Sequence, residues 1–209
     1  MSPTGAQEAS VHGRGAAALI AAIVLAAGTS SRMGRPKLLL PVGGQPLVRL
    51  SVERVLAAGL DEVLVVLGAE AAAIGAALTG LPVRTVLNPR FAEGQATSLR
   101  AGLDALAPSA EAVVIALGDQ LLPDPALIGR LVDAFRRSGR PIVVPRYADG
   151  RGNPVLFAAG LFDELREVTG DRGGREVIAR DATRVAEVPV AEPAPSDLDT
   201  PADYERFLH

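Results

Sequence analysis

The sequence contains no cysteine, which excludes disulfides and thiolate metal sites and leaves the compartment open. Histidine is almost as scarce. His12 and His209 lie near the two ends, which argues against a histidine metal cluster or a Ser-His-Asp triad in the body of the fold. There is no basic excess either: 21 Lys and Arg stand against 24 Asp and Glu, a net charge of −3. The global positive footprint of a nucleic-acid binder is therefore missing, although a local basic pocket stays compatible with that balance. No uninterrupted apolar run approaches the ~18 residues of a membrane span. The Ala-rich stretch 16–27 is too short, ends in a glycine loop and lacks a signal-peptide cleavage site. These absences predict a cytoplasmic protein that engages neither nucleic acid nor membrane.

What is present is the composition of a folded domain, 48% hydrophobic and 22% charged over 209 residues. One domain is expected over 18–209, after a small, polar and disordered tail at 1–17. Apolar runs alternate with helical patterns. Strands are expected at 18–26, 62–68, 83–88, 112–119, 141–147, 154–159 and 183–190. Helices are expected at 46–59, 70–79, 95–106, from Asp124 with Pro125 at its start, at 160–168 and 173–180, and from Pro201. Pro46 suits a first helical position and Gly59 the residue after the end. Near-continuous apolar strands between amphipathic helices predict an α/β fold, a mostly parallel sheet with helices on both faces. Ligands of such sheets bind beyond the strand carboxyl ends. Gly28, Asn88 and the pair Gly118-Asp119 all fall at such ends and are expected to share one cleft.

The loop after the first strand is the most informative stretch, LAAGTSSRMGRPK at 25–37. A glycine directly after a buried strand permits a sharp turn and close approach to a ligand. Successive main-chain N–H groups in such a turn make an anion-binding concavity. Arg32 adds a forked cation and Lys37 a mobile point charge, a combination suited to a polyphosphate. The spacing is neither a Walker A loop nor the dinucleotide fingerprint. Five residues separate Gly28 from Gly34, and no Ser or Thr follows Lys37.

This run resembles the L-A-[AG]-G-x-S-x-R-M-G-x-x-K signature of the MobA/MocA-like nucleotidyltransferases, which complete the molybdenum cofactor. The resemblance extends from about residue 20 to 207. NPRFAEGQATSLRAGL at 88–103, LGDQ at 117–120, GNPVLF at 152–157, GDRGGR at 170–175 and DLDTPADY at 197–204 follow in the family's order. It implies a single-domain Rossmann-like nucleotidyltransferase fold. Alanine at position 27 is similar to the cytidylyl-transferring branch. The implied reaction is Mg2+-dependent transfer from a nucleoside triphosphate, CTP favoured, to a phosphorylated small-molecule acceptor. That acceptor is expected to be molybdenum cofactor, with a molybdenum hydroxylase as a possible client.

The resemblance assigns catalysis to Arg32, Lys37 and Asp119 and nucleotide binding to Ala27, Gly28, Gly34, Asn88, Gly94 and Ser98. Mg2+ is expected on Asp119 and Asp199. Several of these residues carry a plainer alternative. Asp119 can be a turn aspartate, Asn88 can simply end its strand, and Gly94 to Ser98 can be no more than a capped helix start. Thr200, Pro201 and Asp203 read as a cap, a first helical residue and a box-like partner. GDRGGR offers Asp171 as a helix cap, and Arg172 or Arg175 as ligands for an acceptor phosphate. The chain also departs from the family pattern. G-D-x-P becomes Gly118-Asp119-Gln120-Leu121, and G-H-P becomes Gly152-Asn153-Pro154. Those changes keep the nucleotide half and loosen the acceptor half. Two other readings follow: an NAD(P)H-dependent oxidoreductase of a small aromatic or quinonoid compound, and a non-catalytic molybdenum-cofactor carrier.

Overall fold

A strand apolar on both sides is stable only where both faces of its sheet are covered. The computed structural model covers them. It describes residues 19–208 apart from 31–32, 123, 125, 172, 196–197 and 199, and apart from the side chains of 206–208. Arg32, Asp199, Pro125, Arg172 and the expected tail at 1–17 therefore lie outside the described residues.

The chain opens with β1 (Leu19–Ala26), a 3-10 turn (Lys37–Leu39), β2 (Pro41–Val42), β3 (Gln45–Pro46) and α1 (Leu47–Leu56). Then come β4 (Glu62–Leu67), α2 (Ala71–Ala77), β5 (Arg84–Leu87), α3 (Gln95–Asp104), β6 (Ala110–Leu117) and α4 (Leu127–Ser138). The rest comprises β7 (Ile142–Tyr147), β8 (Gly150–Arg151), β9 (Val155–Ala158), α5 (Phe162–Glu167), α6 (Arg175–Arg180), β10 (Val185–Pro189) and α7 (Pro201–Leu208).

The main sheet runs β10-β7-β9-β6-β1-β4-β5, with β8 paired to β7. β1 is parallel to both its neighbours, and β4 is parallel to β5. β9 is antiparallel to both β6 and β7. Alternate β1 residues feed different cores. Ile20, Ala22 and Val24 pack with Val48 and Val52 of α1, Ile74 of α2 and Leu127 and Leu131 of α4. Ala21 and Ile23 pack with Leu99 and Leu103 of α3, Leu165 of α5 and Val177 of α6. This is the α/β sheet with helices on both faces that the sequence pattern predicts.

Three local expectations need correction. Pro46 is extended, at φ −57° and ψ 136°, and pairs with Pro41 across a two-residue hairpin, so α1 begins at Leu47. The hairpin turn is Gly43-Gly44, both at positive φ (56° and 85°), which suits a tight two-residue connection. The strand expected at 112–119 starts at Ala110 and ends at Leu117, leaving Gly118 and Asp119 in the loop beyond it. The strand expected at 183–190 starts at Val185, because Asp181 caps a 3-10 turn through its side-chain contact with the Thr183 N–H.

Close packing of α3 on the sheet depends on Gly102. A Cβ there would meet Ile23 Cγ2 at 2.8 Å and Val66 Cγ2 at 3.1 Å, and both residues are fully buried. Alanine is normally the better helix former by roughly 0.8–1 kcal/mol, but overpacking costs about 1–3 kcal/mol. Gly102→Ala is expected to lose about 1 kcal/mol net in urea unfolding. A gain in stability would show that the α3–sheet contact is looser than described.

Candidate active site

A cleft of about 730 Å³ opens at the carboxyl ends of β1 and β6. Ala27, Gly28 and Thr29 enter it from β1 and Asp119 from β6. Gly94, Gln95 and Ser98 line it from the start of α3, and Asp171, Gly174 and Arg175 from the start of α6. Leu25, Ile115, Leu117, Val155 and Phe157 add apolar wall. The Gly118 N–H donates to Leu25 O at 2.9 Å, which ties the β6 loop to β1.

Two of the charged residues expected here, Lys37 and Asp119, meet. Lys37 Nζ lies 2.5 Å from Asp119 Oδ2, and each side chain is only 15% exposed. The Lys37 N–H donates to Ser30 Oγ at 3.1 Å, so a residue of the same loop fixes the backbone that presents the ammonium. Ser30 itself has a positive φ of 52°, unusual for a non-glycine residue. Gly34 lines an adjoining cavity of about 220 Å³ together with Gly28, Thr29 and Arg35.

The start of α3 is held from within the protein. Asn88 is 3% exposed. Its Nδ2 donates to Thr97 Oγ1 and Ser98 Oγ, both at 2.9 Å, and its Oδ1 accepts the Arg90 N–H at 2.9 Å. Both amide protons and one lone pair of the amide oxygen are therefore engaged within the protein, and Asn88, just beyond β5, anchors the start of α3. The first N–H groups of α3 are also taken. Gln95 N donates to Asp171 Oδ1 at 3.1 Å, Ala96 N to Gly170 O at 3.0 Å and Thr97 N to Gly94 O at 3.2 Å. Asp171 is a cap, and the helix it caps is α3, 76 residues earlier. Gly94 must be glycine: φ is 113°, and a Cβ would meet Gly170 O at 2.9 Å.

The two departures from the family pattern touch. Asn153 Nδ2 donates to Gln120 Oε1 at 3.2 Å. Burial pushes the Tyr147 phenol well above its usual range. It stays protonated and donates to Asn153 O at 2.6 Å, seating that loop. Sequence reasoning missed Phe91, Phe157 and Ile178 as cleft wall. Apolar residues at strand and helix positions carry no mark separating wall from core. The Thr200–Asp203 box is present: Thr200 N donates to Asp203 Oδ2 at 2.8 Å and Asp203 N to Thr200 Oγ at 3.2 Å.

Among the described residues no cluster of three or more His, Cys, Asp or Glu is placed to hold a metal. Asp119 nevertheless supplies hard oxygen donors at the cleft. Mg2+ commonly takes one or two carboxylates and completes its shell with substrate phosphates and water, so the donor chemistry fits a nucleotide-borne divalent ion.

The family model of the MobA-like NTP transferase domain matches residues 22–185. The chain belongs to that family. The transferase is 34% identical over 199 residues to nicotine blue oxidoreductase of Paenarthrobacter nicotinovorans, covering 90% of this chain and 96% of that protein. It is 42% identical over 155 residues to 2-C-methyl-D-erythritol 4-phosphate cytidylyltransferase of Nocardia farcinica, covering 72% of this chain and 63% of that protein. Two structures of Rv0371c from Mycobacterium tuberculosis H37Rv, one in complex with manganese, match with TM-scores of 0.84 and 0.80. Their identities are 35% and 34%, over 92% of this chain and 99% of each. The transferase is an enzyme of the nucleotidyltransferase class with the Rossmann-like fold expected of it. No described helix is long and apolar enough to cross a membrane.

Asn88→Ala removes the partner of the Arg90 N–H and of the buried Ser98 hydroxyl, and one contact of Thr97 Oγ1, which keeps its bonds to the Arg90 and Gly94 carbonyls. It is expected to lower stability by about 1–3 kcal/mol in chemical denaturation. Unchanged stability with weakened nucleotide binding would return Asn88 to the base-reading role.

Proposed function

We propose that the enzyme transfers a cytidylyl group from CTP to a phosphorylated small-molecule acceptor, molybdenum cofactor being the favoured one, with release of pyrophosphate. The observation that carries this reading is the Lys37–Asp119 pair at the mouth of a cleft floored by Ala27 and Gly28. A cation for phosphate and a carboxylate for a divalent ion stand side by side at the strand ends. Alanine at 27 and the likeness to a cytidylyltransferase support CTP over GTP.

The chemistry asks little of side-chain nucleophiles. A phosphate oxygen of the acceptor attacks the α-phosphorus of CTP. A new phosphorus–oxygen bond forms as the bond to the β-phosphate oxygen breaks, and pyrophosphate leaves with that electron pair. Lys37, with Arg32, would neutralise the β and γ phosphates and the leaving group. Gly28 lets the main chain approach the phosphates. Gly94 and Ser98, set by Asn88, would form the nucleoside side of the cleft, while Gly34 shapes the loop. Asp119, with Asp199, would hold Mg2+. When bound, that ion supplies positive charge to the phosphate oxygens. Arg175, exposed at the cleft edge, would meet the acceptor phosphate, and Gln120 with Asn153 would border the acceptor. A molybdenum hydroxylase is the client this reading implies.

A second reading has one observation in its favour. Nicotine blue oxidoreductase matches nearly the full length of both chains. In that reading the cleft holds NAD(P)H, which reduces a small quinonoid compound.

One assay separates the two. Purified enzyme with CTP, Mg2+ and molybdenum cofactor is expected to release pyrophosphate. CTP with Mg2+ is expected to raise Tm more than GTP does, since a ligand bound only by the native state stabilises by RT ln(1 + [L]/Kd). Steady NAD(P)H oxidation with quinonoid dyes and no pyrophosphate would favour the oxidoreductase instead.

A further inference from the structure

Tyr204 of α7 is 6% exposed and lies in a third apolar cluster, with Met33, Leu40, Leu47 and Leu198, apart from the two cores that flank the sheet. Met33 and Leu40 bracket the segment that carries Lys37. The Tyr204 hydroxyl donates to Pro41 O, 163 residues away in the chain. Its ring lies under the Arg35 guanidinium, 5.3 Å from carbon to ring centroid. One side chain thus grips the loop on both sides of Lys37, at Arg35 and at Pro41.

The loop has need of such a grip. Gly34, Arg35 and Pro36 are all exposed, and Gly34 has a φ of 67°. Among the described residues the loop's own hydrogen bonds are local: the Lys37 N–H to Ser30 Oγ, the Met33 N–H to Ser30 O at 3.0 Å, and the Leu39 and Leu40 N–H groups to Pro36 O and Lys37 O, both at 3.1 Å. A ligand-binding cation on an exposed loop needs support from a rigid neighbour to keep its geometry. Simple core filling would call for an apolar side chain at 204, with no hydroxyl set on a loop carbonyl and no cation over its face.

We propose that Tyr204 is a positioning residue for the nucleotide. It clamps the loop that presents Lys37, so the C-terminal helix contributes to triphosphate binding without touching the ligand. This rests on the reading that the loop receives the triphosphate.

The test compares wild type, Tyr204→Phe and Tyr204→Leu by calorimetric titration with CTP and Mg2+ and by hydrogen–deuterium exchange without nucleotide. Tyr204→Leu keeps a buried apolar side chain but loses both the hydroxyl and the ring. It is expected to weaken CTP binding about tenfold and to speed exchange over 33–40 while β1 and β6 keep wild-type protection. Tyr204→Phe retains the ring beneath Arg35 and should fall between. Wild-type affinity in Tyr204→Leu overturns the proposal, as does faster exchange spread evenly over the sheet with unchanged affinity. If Tyr204→Leu does not fold, Tyr204→Phe decides. Weaker CTP binding at unchanged Tm supports the clamp, and unchanged binding overturns it. If the wild type itself does not bind CTP, the nucleotide reading falls. Exchange over 33–40 then judges the clamp alone, and no change there overturns it.

Discussion

The parallel register at the centre of the sheet sets everything above it. Leu25 of β1 stands opposite Val66 of β4 and Leu117 of β6, so three strands end at one level. Their loops must then share a small space, which accounts for the residues found there. Gly68 follows β4 because a Cβ would meet Phe91 Cβ at 2.6 Å and Ala27 Cβ at 2.7 Å. Gly118 follows β6 because a Cβ would come within 3.2 Å of Leu25 O. Crowded backbones at three strand ends thus call for small residues, and Ala27 and Gly28 line the cleft there.

Near that level the fold brings Lys37 and Asp119 together. Without ligand, Lys37 and Asp119 satisfy each other at 2.5 Å, which limits the cost of holding two mostly buried charges. In the proposed function, a nucleoside triphosphate with its divalent ion would offer each of them a partner of opposite sign, and binding would be an exchange of ionic partners. On that proposal the site would supply positioning and charge neutralisation, which are what transfer between phosphates requires, without histidine or cysteine.

Much of this was legible in the sequence, because helices announce themselves through 3.6-residue periodicity and buried strands through unbroken apolar runs. Lys37 and Asp119 stood out through the glycine loop after a buried strand, the acid at a strand end and the resemblance to the family signature. Long-range pairing was not legible. The four residues of β9 carry no mark of direction, so its antiparallel place between β6 and β7 could not be read. The strands of the Pro41–Pro46 hairpin are too short to show alternation. Asn88 and Asp171 look alike whether they face ligand or protein. Their partners on α3 lie 9, 10 and 76 residues away, and only the folded chain brings them together. The grip of Tyr204 on the loop is hidden for the same reason.

The central claim is that Asp119 joins the nucleotide through a divalent ion while Lys37 meets its phosphates. The most direct measurement is calorimetric titration of CTP into wild type and Asp119→Asn, each with and without Mg2+. Metal-free binding is expected to be similar in the two proteins, with Mg2+ tightening binding in the wild type alone. An equal gain from Mg2+ in Asp119→Asn would contradict the claim and place the ion elsewhere.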